Sequence, residues 1–112
     1  MKKSILALVA LFMLAFNSKA QSGREQTSFK VYGNCGMCER KIEGAVNEQQ
    51  GVFSADWNVE SKKMTIKYDS KQITLDELKQ LIADVGYDSD SHRSTDKKYN
   101  SLHGCCQYDR PE

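Results

Sequence analysis

Residues 33–46 read "GNCGMCERKIEGAV", two cysteines three apart followed at once by an apolar repeat of helical period. Cys38, Ile42, Ala45 and Val46 fall at i, i+4, i+7 and i+8, one stripe of a helix, and Gly51 caps it after "NEQQ". Two thiols at the mouth of a helix can clamp a soft metal, shuttle electrons as a disulfide, or staple a fold. The flanking sequence has to discriminate.

Upstream, "SFKVYG" (28–33) alternates, with Phe29 and Val31 on one face, and reads as a first strand. Downstream, "VFSADWNV" (52–59) and "KMTIKYD" (63–69) read as two strands joined by the polar turn "ESK"; in the latter Met64, Ile66 and Tyr68 share a face. A second helix opens on a capping box, Thr74 with Glu77, carries the stripe Leu75, Leu78, Leu81, Ile82 and Val85, and stops at Gly86. "YDSDSHR" (87–93) is a weak final strand. The order βαββαβ predicts an α+β, ferredoxin-like sandwich, with a four-stranded antiparallel sheet and two helices on one face.

The 112-residue chain opens on Lys2 and Lys3, an apolar run over 5–16, and "NSKAQ", with Ser18 and Ala20 at the spacing a signal peptidase reads. That is a secretory signal, and its apolar run is short of the ~20 residues a bilayer span needs. The expectation is cleavage after Ala20, a periplasmic or secreted product that does not span the membrane, a short leader at 21–27, one domain at 28–93 and a tail at 94–112. Losing Lys2, Lys3 and Lys19 takes the basic count from 16 to 13 against 15 acidic residues, so the net charge falls from +1 to −2. No basic surface for nucleic acid follows from that balance.

All four cysteines, Cys35, Cys38, Cys105 and Cys106, survive cleavage, and an even count in an exported small protein ordinarily means disulfides. Against that stands the local chemistry. Thiolate is both metal ligand and nucleophile, and Cys38 falls in a first helical turn, where free N–H groups and the macrodipole favour negative charge. Two soft sulfurs with no adjacent carboxylate suit Cu(I) or Hg(II), with Zn(II) or Cd(II) as further candidates. A structural zinc site would need four ligands where the loop offers two.

Strand, "GNCGMC", helix, within a βαββαβ string ending in "ADVGYD", resembles the heavy-metal-associated domain family. That family includes copper chaperones, N-terminal modules of metal-pumping ATPases and exported mercury-binding proteins. The resemblance covers residues 29–88 and includes "GV" at Gly51 and Val52, "YD" at Tyr68 and Asp69, and "GYD" after the second helix. It implies a non-enzymatic carrier in which Cys35 and Cys38 hold one ion and pass it, by ligand exchange, to a membrane metal transporter or other acceptor protein. The family's usual methionine two places before the first cysteine is Gly33 here. Met37, between the cysteines, is a thioether ligand or a shielding and packing residue. Tyr87 corresponds to a position near the metal loop and reads either as a shield or as a core tyrosine.

The tail "STDKKYNSLHGCCQYDRPE" lacks a convincing stripe but concentrates His103, Cys105 and Cys106 within four positions, three further candidate ligands. Neighbouring cysteines in an extended chain point apart, so joint ligation needs a turn, for which Gly104 is available. The fourth strand should finish at the end away from the loop, roughly 17–20 Å off. The stretch 93–105 covers roughly 18 Å as helix or 40 Å extended, so it reaches back. A composite site, a separate tail site and a tail disulfide are the alternatives. The rival functions are a thiol–disulfide oxidoreductase, for which the loop lacks the usual Trp and Pro neighbours, and a disulfide-stapled module without metal.

Overall fold

The computed structural model describes residues 23–112; the expected secretory signal at 1–20 and its cut after Ala20 lie outside the described residues. The elements are β1 (Arg24–Lys30), α1 (Gly36–Asn47), β2 (Val52–Trp57), β3 (Lys63–Asp69), α2 (Leu75–Asp84), α3 (Asp96–Asn100) and a 3-10 turn at Gly104–Cys106. Among the described residues no helix is long and apolar enough to cross a membrane.

Three strands form an antiparallel sheet in the order β1-β3-β2. Period-two alternation sends Phe29, Met64, Ile66, Tyr68 and Trp57 into the core, while Ser28, Lys63 and Lys67 stay outside. The inner face carries α1 through Cys38, Ile42 and Val46, and α2 through Leu78, Ile82 and Ala83. Ala45, Leu75 and Leu81 are half-buried at the margins, and Val85 is exposed. Across the register Phe29 faces Met64 and Met64 faces Trp57, so one layer of large side chains crosses the sheet. A bulge between Val52 and Ser54 turns Phe53 to solvent, where Arg24 lies 4.8 Å from its ring centroid, although the alternation suggests packing for it.

Helix α2 begins at the expected Thr74 cap, with only half of the capping box formed. The Glu77 N–H donates to Thr74 Oγ1 at 3.1 Å, and the Thr74 hydroxyl in turn meets Glu77 Oε1 at 3.1 Å. Gly86 ends it at φ +107°, a left-handed conformation that suits glycine. A β-carbon there would also press on Leu102 and on the Lys98 carbonyl.

The fourth strand is the main correction. Val31 and Ser89 form one antiparallel bridge, flanked by Tyr32 N–H to the Asp88 carbonyl (2.9 Å) and Asp90 N–H to the Lys30 carbonyl (3.1 Å). The chain then turns: Ser89 N–H donates to the His92 carbonyl and His92 N–H to Ser89 Oγ. Short polar side chains offer the backbone partners that compete with a ladder, which is why "SDS" folds back after a single pair. His92 Nε2 meets Asp76 Oδ1 at 2.8 Å.

The tail is part of the core rather than an appendage. Leu102, Cys106 and Tyr108 are buried in the same cluster as Ile42 and Tyr87. Tyr108 stacks on Tyr87 at 5.7 Å and meets Tyr99 edge-on at 5.1 Å. Its hydroxyl donates to the Gly86 carbonyl (2.9 Å) and accepts from Asp88 N–H (2.8 Å). Arg110 closes the assembly with a two-pronged pair to Asp88 at 2.8 and 3.0 Å.

Candidate metal centre

The loop between β1 and α1 is built over Trp57. Gly33 is buried, and a β-carbon on it would stand 2.9 Å from Trp57 Cη2 and 3.3 Å from Cys38 Cβ. The indole thus occupies the space a side chain at position 33 would fill, and its Nε1–H donates to the Val31 carbonyl at 3.0 Å. That packing answers for the methionine missing from "GNCGMC".

Cys35 is the N-cap of α1, in extended backbone geometry and half-buried at the rim. Cys38, one turn in, is fully buried, with its sulfur accepting from Asn34 N–H at 3.4 Å. Burial opposes ionisation of the Cys38 thiol. The backbone N–H groups of Asn34 and Cys35, with the Tyr87 hydroxyl and the Cys106 thiol, outweigh it and hold its pKa below the usual thiol value. Cys106 behaves oppositely: burial, then its hydrogen bond to Cys38 and the charge there, push its pKa up to about 12. Of these two neighbouring thiols, Cys38 is therefore the more readily ionised and Cys106 the less.

The tail returns to this loop. Asn34 Nδ2 donates to the Cys105 carbonyl at 3.3 Å, and Cys35 Sγ lies 4.0 Å from the same oxygen. The 3-10 turn, closed by Cys106 N–H to the His103 carbonyl at 2.8 Å, swings two neighbouring cysteines to one side, their sulfurs 3.9 Å apart. Gly104 is not in the left-handed region, so the turn itself does what glycine was expected to enable. The sulfurs of Cys35, Cys105 and Cys106 all lie within 4.8 Å of one another. Cys38 stands outside that trio, behind Cys106. His103 is exposed and also outside it; Met37 is exposed, with Sδ 4.0 Å from Cys105 Sγ. All four cysteines are free.

Tyr87 is fully buried; its hydroxyl makes no close hydrogen bond but acts at longer range on the sulfurs of Cys38 and Cys106. Burial, followed by those two sulfurs, raises its own pKa strongly, so the phenol stays protonated. Tyr87 is thus a core tyrosine whose hydroxyl end lies beside the buried cysteines.

The heavy-metal-associated domain model matches residues 30–88, more than half of the sequence. The chain belongs to that family. The copper chaperone CopZ of Staphylococcus aureus is 38% identical over 55 residues, which are 49% of this chain and 81% of that one. A solved CopZ metallochaperone superposes with a TM-score of 0.56 at 36% identity, over 58% of this chain and 98% of its own. The Cu(I)-loaded N-terminal domain of a potential copper-translocating P-type ATPase from Bacillus subtilis gives 0.57 at 28%, over 59% of this chain and 84% of its own. Like the family, this chain carries metal and is not an enzyme.

The match ends at Asp88, so Cys105 and Cys106 lie outside it. The residues that sequence reading overlooked are those that seat the tail: Asp88, Tyr108 and Arg110. A signal for them existed in the spacing of Leu102, Cys106 and Tyr108, too short for a helical stripe yet apolar in a polar segment.

Proposed function

We propose that this protein is an exported carrier of a soft ion, Cu(I) ahead of Hg(II), which it captures at Cys35 and Cys38 and hands to a membrane metal transporter. The observation that carries the reading is the socket at the strand-to-helix loop. Cys35 offers a sulfur at the rim and Cys38 a buried one on the first helical turn, whose pKa is held below the usual thiol value. The similarity to copper chaperones supports copper, and the copper-translocating ATPase domain among the similar structures supports a transporter as the acceptor. Handover would proceed by exchange: an acceptor thiolate bonds the ion as one carrier sulfur lets go.

Anaerobic titration of the reduced protein with Cu(I), Hg(II), Zn(II) and Cd(II) against competing chelators tests it. The expected result is tight binding of one soft ion, lost in the Cys35→Ser/Cys38→Ser double variant with the fold retained. Equal binding by that variant would refute the loop assignment. Four oxidised cysteines and no metal in protein from its native compartment would favour the disulfide-stapled module. Export is tested by fractionation and N-terminal sequencing, where a mature chain starting at Gln21 is expected.

A further inference from the structure

A carrier with two sulfurs in its loop has no need of a tail, yet this tail is fastened at several points. Arg110 spans Asp88, Asp96 and the Ser94 carbonyl; Tyr108 bonds Gly86 and Asp88; Tyr99 Oη donates to the Tyr108 carbonyl at 2.6 Å. The result is that Cys105 and Cys106 are delivered to Cys35 rather than trailing in solvent.

The separations suit one ion. With three sulfurs no more than 4.8 Å apart, a point equidistant from them lies roughly 2.8 Å or less from each, against ~2.3 Å for a zinc–thiolate bond. Closure asks each sulfur to move by about half an ångström, within the reach of a small χ1 adjustment. Cys105 and Cys106 already stand at 3.9 Å, close to the ~4.0 Å that three thiolates around one ion at that bond length require.

We propose that the ion, captured at Cys35 and Cys38, passes to a three-thiolate seat of Cys35, Cys105 and Cys106, its bond to Cys38 breaking as the tail closes, so that the tail is a clasp that an acceptor must displace before the ion leaves. The proposal rests on the carrier reading above and adds the regulation of its site. Each thiol that joins forms one metal–sulfur bond and gives its proton to water; copper stays Cu(I), and nothing is oxidised. On release, an acceptor thiolate forms a bond as a tail sulfur's bond breaks, and that sulfur takes a proton back.

X-ray absorption at the copper edge of the Cu(I)-loaded protein, with chelator competition, compares the wild type with Cys105→Ser and Cys105→Ser/Cys106→Ser. Cys105 is exposed, so its single variant decides the matter even where loss of buried Cys106 disturbs folding. Three sulfurs around copper in the wild type and two in Cys105→Ser are expected. Affinity should fall about tenfold or more, a scale that even outer-shell losses reach, and transfer to a small dithiol should quicken. Two sulfurs in the wild type, or an unchanged count and affinity in the variants, overturns the clasp. Copper binding that still depends on Cys35 and Cys38 would then leave the carrier reading standing. A wild type that takes up no copper overturns both.

Discussion

Replacing Arg110 by methionine should cost more than any exposed charge could. The guanidinium is 12% exposed and Asp88 only 1%, and Arg110 supplies two of the three hydrogen bonds to that carboxylate, Ser94 N–H supplying the third at 2.6 Å. Methionine matches the stem and keeps apolar contact with Tyr99, over whose ring the guanidinium lies at 4.8 Å. What it removes is the charge, leaving a carboxylate buried and half-satisfied, a loss of ~3–5 kcal/mol for a broken buried pair. At roughly 4–8 °C per kcal/mol for a domain of this size, the lower figure already means a melting point about 12–24 °C lower. The molecule has one way to limit that loss, which is to release the tail and let water reach Asp88. Melting would then fall less, but the amides of Cys106, Gln107 and Tyr108, now bonded within the tail turn, would exchange with solvent. Circular dichroism melts with hydrogen exchange read both routes. Asp88→Asn in the same chain should recover part of the loss, since a neutral amide does not demand a cation. An unchanged melting point together with unchanged tail protection would refute the clamp.

Acid should loosen the same clamp. Burial works against the Asp88 carboxylate, but Arg110 and Ser94 N–H hold its pKa below the usual carboxylate value in the fold. Its contribution is therefore complete above the unfolded value and lost as pH falls through the lower folded one, and Asp88→Asn should flatten a stability–pH curve in that acid limb. Thr74→Ala removes the acceptor for Glu77 N–H and should cost ~1 kcal/mol in urea unfolding, with no change confined to the metal loop. Gly33→Met, which restores the residue usual in the family, should destabilise by ~1–3 kcal/mol because Trp57 fills its space, and adding Trp57→Leu should relieve it. Thermal melts that show Gly33→Met alone to be neutral would contradict the packing of that loop. Tyr87→Phe should leave stability of the metal-free protein level or raised, since the hydroxyl removed has no partner; a loss above ~1 kcal/mol would reveal a bond to sulfur.

The strand β3 and the cap of α2 were legible because each is decided locally: Met64, Ile66 and Tyr68 alternate without interruption, and Thr74 meets its partner three residues on. The loop cysteines were legible for the same reason, since spacing along one chain segment places both at a helix start. The tail was not, because its burial depends on residues far away. Tyr108 gains its hydrogen bonds from Gly86 and Asp88, twenty-two and twenty positions off, and the apolar spacing in the tail does not name those partners. The fourth strand failed in the opposite sense. "YDSDSHR" carries a plausible alternation, but Asp88 is committed to Arg110 and Ser89 to its own turn, so only one bridge survives. The sequence already set Cys38 in the first helical turn apart from Cys35 before it, but not their difference in burial. Packing makes them unlike, one at the rim beside the tail sulfurs and one buried against Asn34.

A sheet that stops after one bridge has a seam. Among the described residues β1 has β3 on one side and, on the other, only the contacts around Val31 and Ser89, so its outer amides toward Arg24 face water. Such a rim is a template on which another chain can add a strand. Here Arg24, Glu25 and Lys30 place charge along it, and on the opposite rim the bulge at Phe53 breaks the flat line of β2. The same shortening that frees the polypeptide to run back towards the cysteines thus leaves a few charged side chains to guard that edge against an added strand.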